Sequence, residues 1–392
     1  MARRIVVVED EGQVLLMLQR LLGKAGYHVI TVQDSRQAYA KIQLVKPDLV
    51  ILDVMMPHVD GLSLCHMIRQ SPELKGIRIA ILSAKVYEAD KLRAFQLGAD
   101  IFIEKPFHPD ELLARITTLL MGKIKVRFWG TRGSVPTPGL NTTKYGGNTP
   151  CVEVRLPDNN LLVFDAGTGI RNLGNMLSRD GKKVKASIFI SHPHWDHIQG
   201  LPFFLPAYGP RNELVIYGAE QPDMRLDELI SAQMESLFFP ITLKELAADI
   251  TFKRLSEGSC PLPSLDAVVD TIFANHPGFT LSYRLSCGST KLVYMTDNEL
   301  DSVASSQWLK FVEFVKGAKL LIHDAQYSKE EYATHKGWGH SSWPKVLDLA
   351  LAGKVEQLVL FHHDPDHTDA DIDLILEECR TIVREQGAEL EC

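Results

Sequence analysis

One six-residue segment of the chain concentrates side chains that bind metal ions. The sequence HPHWDH follows a predicted strand at 187–190, enters a helix and contains four of them: His192, His194, Asp196 and His197. Four such ligands do not reach one tetrahedral ion comfortably, but alternate residues of an extended loop can face two ions. Ligation by histidine and aspartate without cysteine favours Zn²⁺, with Mn²⁺ and Fe²⁺ as alternatives. The segment therefore predicts a site for two divalent metals.

Further candidate ligands lie downstream, each near the beginning or end of a predicted strand. They are His276 in NHPG, Asp297 in YMTD, His340 in WGHSS, and the adjacent His362 and His363 in LFHHDP. Each of these residues alone is compatible with an ordinary turn or packing role. Together with HPHWDH, they indicate that distant segments contribute to one metal centre.

A second set of polar side chains lies in the first 121 residues. Short apolar runs alternate there with amphipathic stretches, which is the pattern of a parallel sheet with helices on both faces. Strands predicted at 5–8, 27–31, 49–52, 79–82 and 101–103 fit a flavodoxin-like, doubly wound domain. The polar residues that end or follow these strands are Glu9, Asp10, Asp53, Ser83 and Lys105. Because such strand ends converge at one edge of the sheet, these side chains are expected to share a pocket.

The residue types in that pocket predict the transfer of a phosphoryl group. Carboxylate oxygens suit Mg²⁺, which is a hard cation with octahedral preference. With the metal and Lys105 compensating its charge, Asp53 can attack a phosphorus centre as a carboxylate nucleophile.

Residues 3–121 resemble response-regulator receiver domains. The resemblance is carried by VVVED, LDVMMPHVDG, ILSA and EKPF. It implies that Asp53 accepts a phosphoryl group from a histidine kinase. It also implies that Asp10 and the Met55 carbonyl bind Mg²⁺ directly and that Glu9 binds it through water. The remaining implied roles are phosphoryl contacts from Ser83 and Lys105 and an aromatic switch at Phe102.

Residues 124–392 resemble the metallo-β-lactamase fold, through GTRGSVPTPG, YGGNTPC and FDAGTG as well as the histidine motifs. Within that fold they resemble the phosphodiesterase branch that includes the Z-type tRNA 3′-processing endonucleases. The resemblance implies a bridging carboxylate from Asp297 and a supporting carboxylate from Asp165 that orients a ligand histidine. The implied ligands are His192, His194 and His276 for one metal, and Asp196, His197 and His362 for the other, with His363 as the alternative to His362.

The resemblance also brings Asp324 and His340 together as a pair that donates a proton to the leaving group. A carboxylate that holds an imidazole raises the pKa of the ring and fixes its tautomer, which makes His340 a usable acid near neutrality. With Asp196 at the metal centre, these two are the candidate catalytic residues. His323, His335 and His367 are interpreted as structural.

The predicted fold class is α/β, with a flavodoxin-like receiver over residues 1–121 and an αββα metallo-β-lactamase sandwich over residues 124–392. In the second domain, strands are predicted at 124–129, 151–155, 161–164, 187–190, 214–217, 279–285, 291–294, 320–322 and 357–361, and a last helix at 369–385. The two domains are separated by almost no linker. We therefore expect phosphorylation of Asp53 to alter either access to the metal site or dimer pairing.

Charge and composition narrow the function classes. Of the net charge of −7, residues 122–392 contribute 27 Lys and Arg against 35 Asp and Glu, a poor match for extended nucleic acid. This excess of acidic residues favours a small phosphodiester, such as a cyclic nucleotide, as the substrate.

No apolar run approaches the ~18–20 residues of a membrane helix, and the apolar stretch before Glu9 is too short for a signal peptide. Six cysteines without CxxC spacing indicate reduced thiols, so the expected location is the cytoplasm, away from membranes.

The leading hypothesis is thus a receiver-controlled, metal-dependent phosphodiesterase. One alternative is hydrolysis of a carboxylic ester, thioester or lactam by the same centre. The other is a non-catalytic, metal-bound module that binds a partner or senses a ligand, which predicts a broken ligand set. Receivers often pair through one face, so a homodimer is also compatible with the sequence.

Overall fold

The computed structural model describes residues 3–84, 88–121, 124–156, 159–179, 181–262, 267–287 and 290–392. The chain divides into two compact units, residues 1–122 and 123–392. The domain boundary predicted near residue 122 lies outside the described residues. Within the described ranges, no helix combines the length and the apolar character that a membrane crossing requires.

The first unit is a five-stranded parallel sheet in the flavodoxin-like order β2-β1-β3-β4-β5. Alternate residues of β1 pack into different cores, Ile5 and Val7 in one and Val6 and Val8 in the other. Both faces are thus covered, which is why the central strands are continuous apolar runs. The strands are β1 (Arg4–Val8), β2 (His28–Val32), β3 (Leu49–Asp53), β4 (Arg78–Ser83) and β5 (Ile101–Glu104). The helices are α1 (Gly12–Lys24), α2 (Ser35–Val45), α3 (Gly61–Gln70), α4 (Glu88–Gln96) and α5 (Pro109–Met121).

The beginning of α5 is marked by a proline and an acidic residue. The helix begins at Pro109, and Asp110 lies in its first turn. Proline is favoured at the first helical position because its ring presets φ and the missing N–H would have no partner there. The Asp110 carboxylate lies near the positive end of the helix dipole.

The second unit contains two six-stranded sheets. The first sheet has the order β11-β10-β9-β8-β7-β6 and the second the order β12-β13-β14-β15-β16-β17. The first comprises β6 (Lys125–Gly130), β7 (Cys151–Arg155), β8 (Leu161–Phe164), β9 (Lys185–Phe189), β10 (Glu213–Gly218) and β11 (Asp249–Arg254). The second comprises β12 (Gly258–Leu262), β13 (Ala267–Phe273), β14 (Leu281–Cys287), β15 (Thr290–Met295), β16 (Leu320–Asp324) and β17 (Leu358–Phe361).

Aromatic rings pack the two sheets against each other. Phe164 of β8 stacks on Tyr294 of β15 at a centroid distance of 5.4 Å, and Phe189 of β9 contacts Tyr283 of β14 at 5.5 Å. Separate apolar cores on the outer faces hold helices, so the predicted αββα sandwich is confirmed. The helices are α6 (Gly169–Ser178), α7 (Trp195–Ile198), α8 (Leu226–Ala232), α9 (Ser305–Val315), α10 (Lys329–Tyr332), α11 (Trp343–Ala352) and α12 (Asp369–Glu385).

Three strands, β11, β12 and β13, were missed by the sequence prediction. β11 and β12 lie at the edges of their sheets, and most of their residues are exposed or half-buried. Polar, exposed edge strands carry little of the apolar pattern by which strands are detected. In β12, Pro261 weakens that signal further, although proline is tolerated in an edge strand.

Candidate metal centre and receiver pocket

The metal centre is built at the carboxyl ends of strands from both sheets. Asp165 directly follows β8, Asp297 lies two residues after β15, and His362 directly follows β17. All three have positive φ, at 58°, 49° and 55° respectively. This left-handed conformation is unfavourable for residues other than glycine and persists where the surrounding structure enforces it. The backbone is therefore strained at the three points where it presents these side chains.

One group of potential ligands comprises His192, His194, His276 and Asp297, with one ligand atom of each residue within 4.8 Å of the others. His276 Nε2 lies 3.3 Å from His194 Nδ1. Asp297 Oδ2 lies 3.5 Å from His192 Nε2 and 3.9 Å from His276 Nε2. The structure thus brings together three histidines from two distant segments around one carboxylate oxygen.

A second group comprises Asp196, His197 and His362. Asp196 Oδ2 lies 3.2 Å from His197 Nε2 and 3.1 Å from His362 Nε2. The other oxygen of Asp297, Oδ1, lies 3.3 Å from both imidazole nitrogens. Asp297 therefore presents one oxygen to each group, which is the arrangement expected of a bridging carboxylate.

Hydrogen bonds orient the ligand histidines by their Nδ1 atoms. Asp165 accepts from His197 Nδ1 at 2.7 Å, Gln326 Oε1 lies 3.0 Å from His362 Nδ1, and the Gly339 carbonyl lies 3.0 Å from His276 Nδ1. Such partners fix the tautomer of an imidazole and leave Nε2 for a metal. Among the described residues, the buried Nε2 atoms of His192 and His197 have no hydrogen-bond partner. The donor set therefore fits divalent cations.

Asp165 was predicted from the sequence, but three other supports of the centre were not. These are Gln326, the Gly339 carbonyl, and the Ser134 backbone amide, which donates to Asp196 Oδ2 at 2.9 Å. A backbone group carries no signature of residue type, and a single glutamine after a strand is common. Only the position of Ser134 within GTRGS hinted at its involvement.

Two glycines make room for ligand histidines. A Cβ atom at Gly133 would lie 2.4 Å from His362 Nδ1, and one at Gly339 would lie 2.0 Å from His276 Nδ1. Gly339 also has a φ of 88°, which side-chain-bearing residues rarely adopt. The glycines of GTRGS and WGHSS thus allow the backbone to approach the ligands closely.

Within the centre, burial and neighbouring charges often shift the pKa of a side chain in opposite directions. Burial lowers the pKa of His192 well below its ordinary value. Burial has the same tendency at His197, but Asp196, Asp297 and Asp165 raise the pKa of that ring well above its ordinary value. Burial would raise the pKa of Asp297, yet His362, His197 and His192 hold it well below its usual range. The Asp297 carboxylate is therefore ionised and available to cations.

Asp324 and His340 lie together beside the ligand groups. Asp324 Oδ2 accepts from His340 Nδ1 at 2.6 Å, and Asp297 Oδ2 lies 3.9 Å from the same nitrogen. Although burial disfavours its charged form, Asp324 and then Asp297 raise the pKa of His340 to about 9. The imidazole is thus held in one orientation by a carboxylate.

The neighbouring histidines 362 and 363 have different surroundings. His362 contacts Asp196 and Asp297, whereas His363 is buried against Tyr145 with a ring distance of 6.0 Å. Burial, with Arg132 nearby, lowers the pKa of His363 to about 3. The structure therefore brings His362, and not His363, to the other ligands.

The receiver pocket lies at the carboxyl edge of the first sheet. Lys105 Nζ lies 2.5 Å from Asp53 Oδ1 and 2.7 Å from Glu9 Oε2, and the Met55 amide donates to Asp53 Oδ2 at 2.7 Å. Glu9, Asp10 and Asp53 have ligand oxygens within 4.8 Å of one another. Burial raises the pKa of Glu9 despite its bond to Lys105. Ser83 is buried at the end of β4, and Phe102 is buried in β5.

Comparisons with known protein families identify two domains in the chain. The model of the response regulator receiver domain matches residues 5–117, and that of the beta-lactamase superfamily domain matches residues 160–383, more than half of the chain. The chain belongs to the beta-lactamase superfamily. This superfamily member carries a two-component receiver domain fused to a metallo-β-lactamase-fold domain. Receiver domains of response regulators are phosphorylated by histidine kinases, and the metallo-β-lactamase fold generally binds divalent metals and is typical of metal-dependent hydrolases.

Individual relatives match parts of the chain. The alkaline phosphatase synthesis transcriptional regulatory protein PhoP of Bacillus subtilis is 42% identical over 120 residues, 31% of this chain and 49% of PhoP. The probable transcriptional regulator ycf27 of Cyanophora paradoxa is 36% identical over 173 residues, 44% of this chain and 66% of ycf27. The chain thus spans about half to two thirds of the length of these curated relatives.

Two solved structures resemble one part of the chain each. The receiver domain of RstA from Klebsiella pneumoniae is 33% identical, with a TM-score of 0.28, and the match covers 30% of this chain and 97% of RstA's. The metallo-beta-lactamase fold protein YhfI from Bacillus subtilis is 19% identical, with a TM-score of 0.48. That match covers 66% of this chain and 92% of YhfI's.

Proposed function

We propose that residues 124–392 hydrolyse phosphodiesters with two divalent cations, Zn²⁺ being favoured, and that phosphorylation of Asp53 in the receiver, residues 1–121, controls this activity. The observation that carries the proposal is the position of Asp297 between two groups of ligands. Its Oδ1 faces His197 and His362 at 3.3 Å, while its Oδ2 faces His192 at 3.5 Å. A shared carboxylate of this kind is suited to hold two cations close together.

The ligands proposed for one cation are His192, His194 and His276, and those for the other are Asp196, His197 and His362. When bound, two such cations supply Lewis acidity and lower the pKa of water for displacement at phosphorus. The protein holds the ligand imidazoles by Asp165, Gln326 and the Gly339 carbonyl, so the donor nitrogens are fixed before a substrate arrives.

The pair of Asp324 and His340 supports an alcohol as the leaving group. An alkoxide leaves poorly without a proton, whereas a thiolate is already a good leaving group near neutrality. Asp324 Oδ2 holds His340 Nδ1 at 2.6 Å, so the remaining ring nitrogen, Nε2, is the one that can donate a proton. The pair therefore favours esters of alcohols over thioesters.

The distribution of charge supports a small substrate. A cleft lined by basic residues does exist on the hydrolase unit, but it lies at the ends of β6 to β9 opposite the metal ligands. Nucleic acid bound in this cleft would lie at the wrong edge of the sheet to reach the metal centre. The basic residues of the cleft are Lys125, Arg127, Arg155, Arg179, Lys182, Lys183 and Lys185.

The test is metal analysis of the purified full chain, followed by a panel of cyclic nucleotides, other phosphodiesters, carboxylic esters, thioesters and a lactam. We expect about two equivalents of metal per chain and the highest kcat/KM on a phosphodiester. His362→Ala and His363→Ala form a matched pair. The first is expected to lose metal and activity, and the second to retain both.

Higher kcat/KM on the thioester or the lactam would contradict the assignment to phosphodiesters. Metal loss from His363→Ala, with normal metal content in His362→Ala, would contradict the ligand set. A metal-bound protein without activity on any member of the panel would favour the alternative of a binding or sensor module.

A further inference from the structure

Two cysteines of the hydrolase unit lie in contact. Cys379 is in α12, and its Sγ lies 3.4 Å from Sγ of Cys392. Both cysteines are free thiols in the structure. A disulfide requires about 2.05 Å between the sulfurs, so a shift of about 1.4 Å would close this pair.

The two thiols differ in accessibility and in protonation. Cys379 is completely buried in an apolar core, to which α9 and α11 also contribute residues. Cys392 is half-buried and lines a cavity of about 380 Å³ between β17 and α12. The Cys379 thiol donates to Cys392 Sγ, and this hydrogen bond lowers the pKa of Cys392 while it raises that of Cys379. Cys392 is thus the nucleophilic, accessible partner.

We propose that Cys392 and Cys379 form a redox-active pair, in which a hydroperoxide oxidises Cys392 and Cys379 then closes a reversible disulfide. The Cys392 thiolate attacks a peroxide oxygen, the O–O bond breaks, and a sulfenic acid forms on Cys392 as hydroxide leaves. The sulfur of Cys379 then attacks the sulfur of Cys392. The S–S bond forms, the S–O bond breaks, and water leaves with the Cys379 proton. Two thiols are oxidised by two electrons, and hydrogen peroxide is reduced to two molecules of water.

The disulfide would fasten residues 388–392 to α12. This segment also pairs with the chain at the beginning of β17, since the Leu358 amide donates to the Glu391 carbonyl at 2.8 Å and the Glu391 amide donates to the Glu356 carbonyl at 3.0 Å. β17 ends at Phe361, directly before His362. Oxidation would therefore brace the strand that carries a proposed metal ligand.

The experiment titrates the reduced full chain with hydrogen peroxide and counts thiols after denaturation, with peptide mapping under non-reducing conditions. We expect two of the six thiols to be lost together, a linked pair of peptides containing Cys379 and Cys392, and full recovery with dithiothreitol. Cys260→Ser is the matched control, because Cys260 is also half-buried, and it is expected to lose the same two thiols.

Cys392→Ser decides whether this pair is responsible. It is expected to keep its five thiols over the range of peroxide in which the wild-type protein loses two. In Cys379→Ala, Cys392 is expected to accumulate as a sulfenic acid that dimedone labels. Equal thiol loss in Cys392→Ser, or linkage of either cysteine to another residue or another chain, would overturn the proposal. These readouts count thiols, so they are independent of the proposed hydrolysis.

Discussion

The receiver pocket and the histidine-rich centre both lie at the carboxyl ends of strands, but they hold their carboxylates differently. In the receiver, one ammonium group on Lys105 contacts both Glu9 and Asp53. In the metallo-β-lactamase-fold domain, Asp297 faces several imidazoles, most of which accept or donate a further hydrogen bond on the side away from Asp297. One ammonium group thus spans both carboxylates in the receiver pocket, whereas in the metal centre the imidazoles that face Asp297 are themselves held by further hydrogen bonds.

The two sites also differ in backbone conformation. Asp165, Asp297 and His362 of the metal centre have positive φ, while Asp53 and Lys105 of the receiver do not. Strain of this kind costs on the order of 1–3 kcal/mol per residue and is maintained by surrounding contacts. A change of charge at Asp53, as proposed above, would therefore need little rearrangement of the backbone, whereas the metal centre depends on backbone conformations that the surrounding structure maintains.

The largest effect is expected from Asp297→Ala. Because this carboxylate faces both ligand groups, its loss should remove at least one equivalent of metal and reduce activity by more than the roughly 10–100-fold that loss of an outer partner costs. Metal content by mass spectrometry and kcat/KM are the measurements. Asp366→Ala removes an exposed carboxylate and is the control. Unchanged metal content in Asp297→Ala would show that the two ligand groups do not share this residue.

The next largest effect is expected from His340→Ala, and it should depend on the leaving group. With a poor alcohol leaving group the rate should fall roughly 10²–10⁴-fold, because a proton donor is lost, and it should fall far less with an activated nitrophenyl ester. His335→Ala, in the same loop region, is the control and should leave both rates near the wild-type values. Equal losses on both substrates would assign His340 a positioning role instead.

A smaller effect is expected from Gln326→Ala, which removes the hydrogen bond to His362 Nδ1. Metal affinity should fall roughly 10–100-fold, as for other outer partners of ligand histidines. Gln326→Glu retains an acceptor oxygen and should restore most of the affinity. Competition with a chelator measures both variants, and equal weakening in the two would mean that the contact does not orient His362.

Gln326 also illustrates the limits of the sequence analysis. The ligand-type residues stand out because histidine and aspartate are concentrated in short motifs, and His192, His276 and Asp297 do converge in the structure. The amide of Gln326 and the carbonyl of Gly339 have no such signature, and only the fold brings them behind the ligands. For the same reason the apolar strands were predicted to within a few residues, whereas the polar edge strands β11 and β12 were missed.

The smallest effect on activity is expected from phosphorylation of the receiver. A small phosphodonor with Mg²⁺ should phosphorylate Asp53 and change kcat/KM of the hydrolase several-fold, because only residues 122–124 separate α5 from β6. Asp53→Asn should abolish this response while metal content stays at the wild-type level. One rate and one oligomeric state for treated wild type, untreated wild type and Asp53→Asn would show that the receiver does not control the enzyme.

The interior aromatic layer has a thermodynamic consequence for the metal centre. Tyr294 belongs to that layer, and its hydroxyl donates to Asp165 Oδ2 at 2.7 Å, while Asp165 in turn holds His197. Tyr294 therefore helps to hold the two sheets together and, through Asp165, supports a proposed metal ligand. Ligands that bind only the native state shift the folding equilibrium by mass action. Removal of the metals by a chelator should accordingly lower the melting temperature of the sandwich. Tyr294→Phe should weaken metal binding, although the substituted residue is buried and is not itself a ligand, because it removes the hydrogen bond to Asp165.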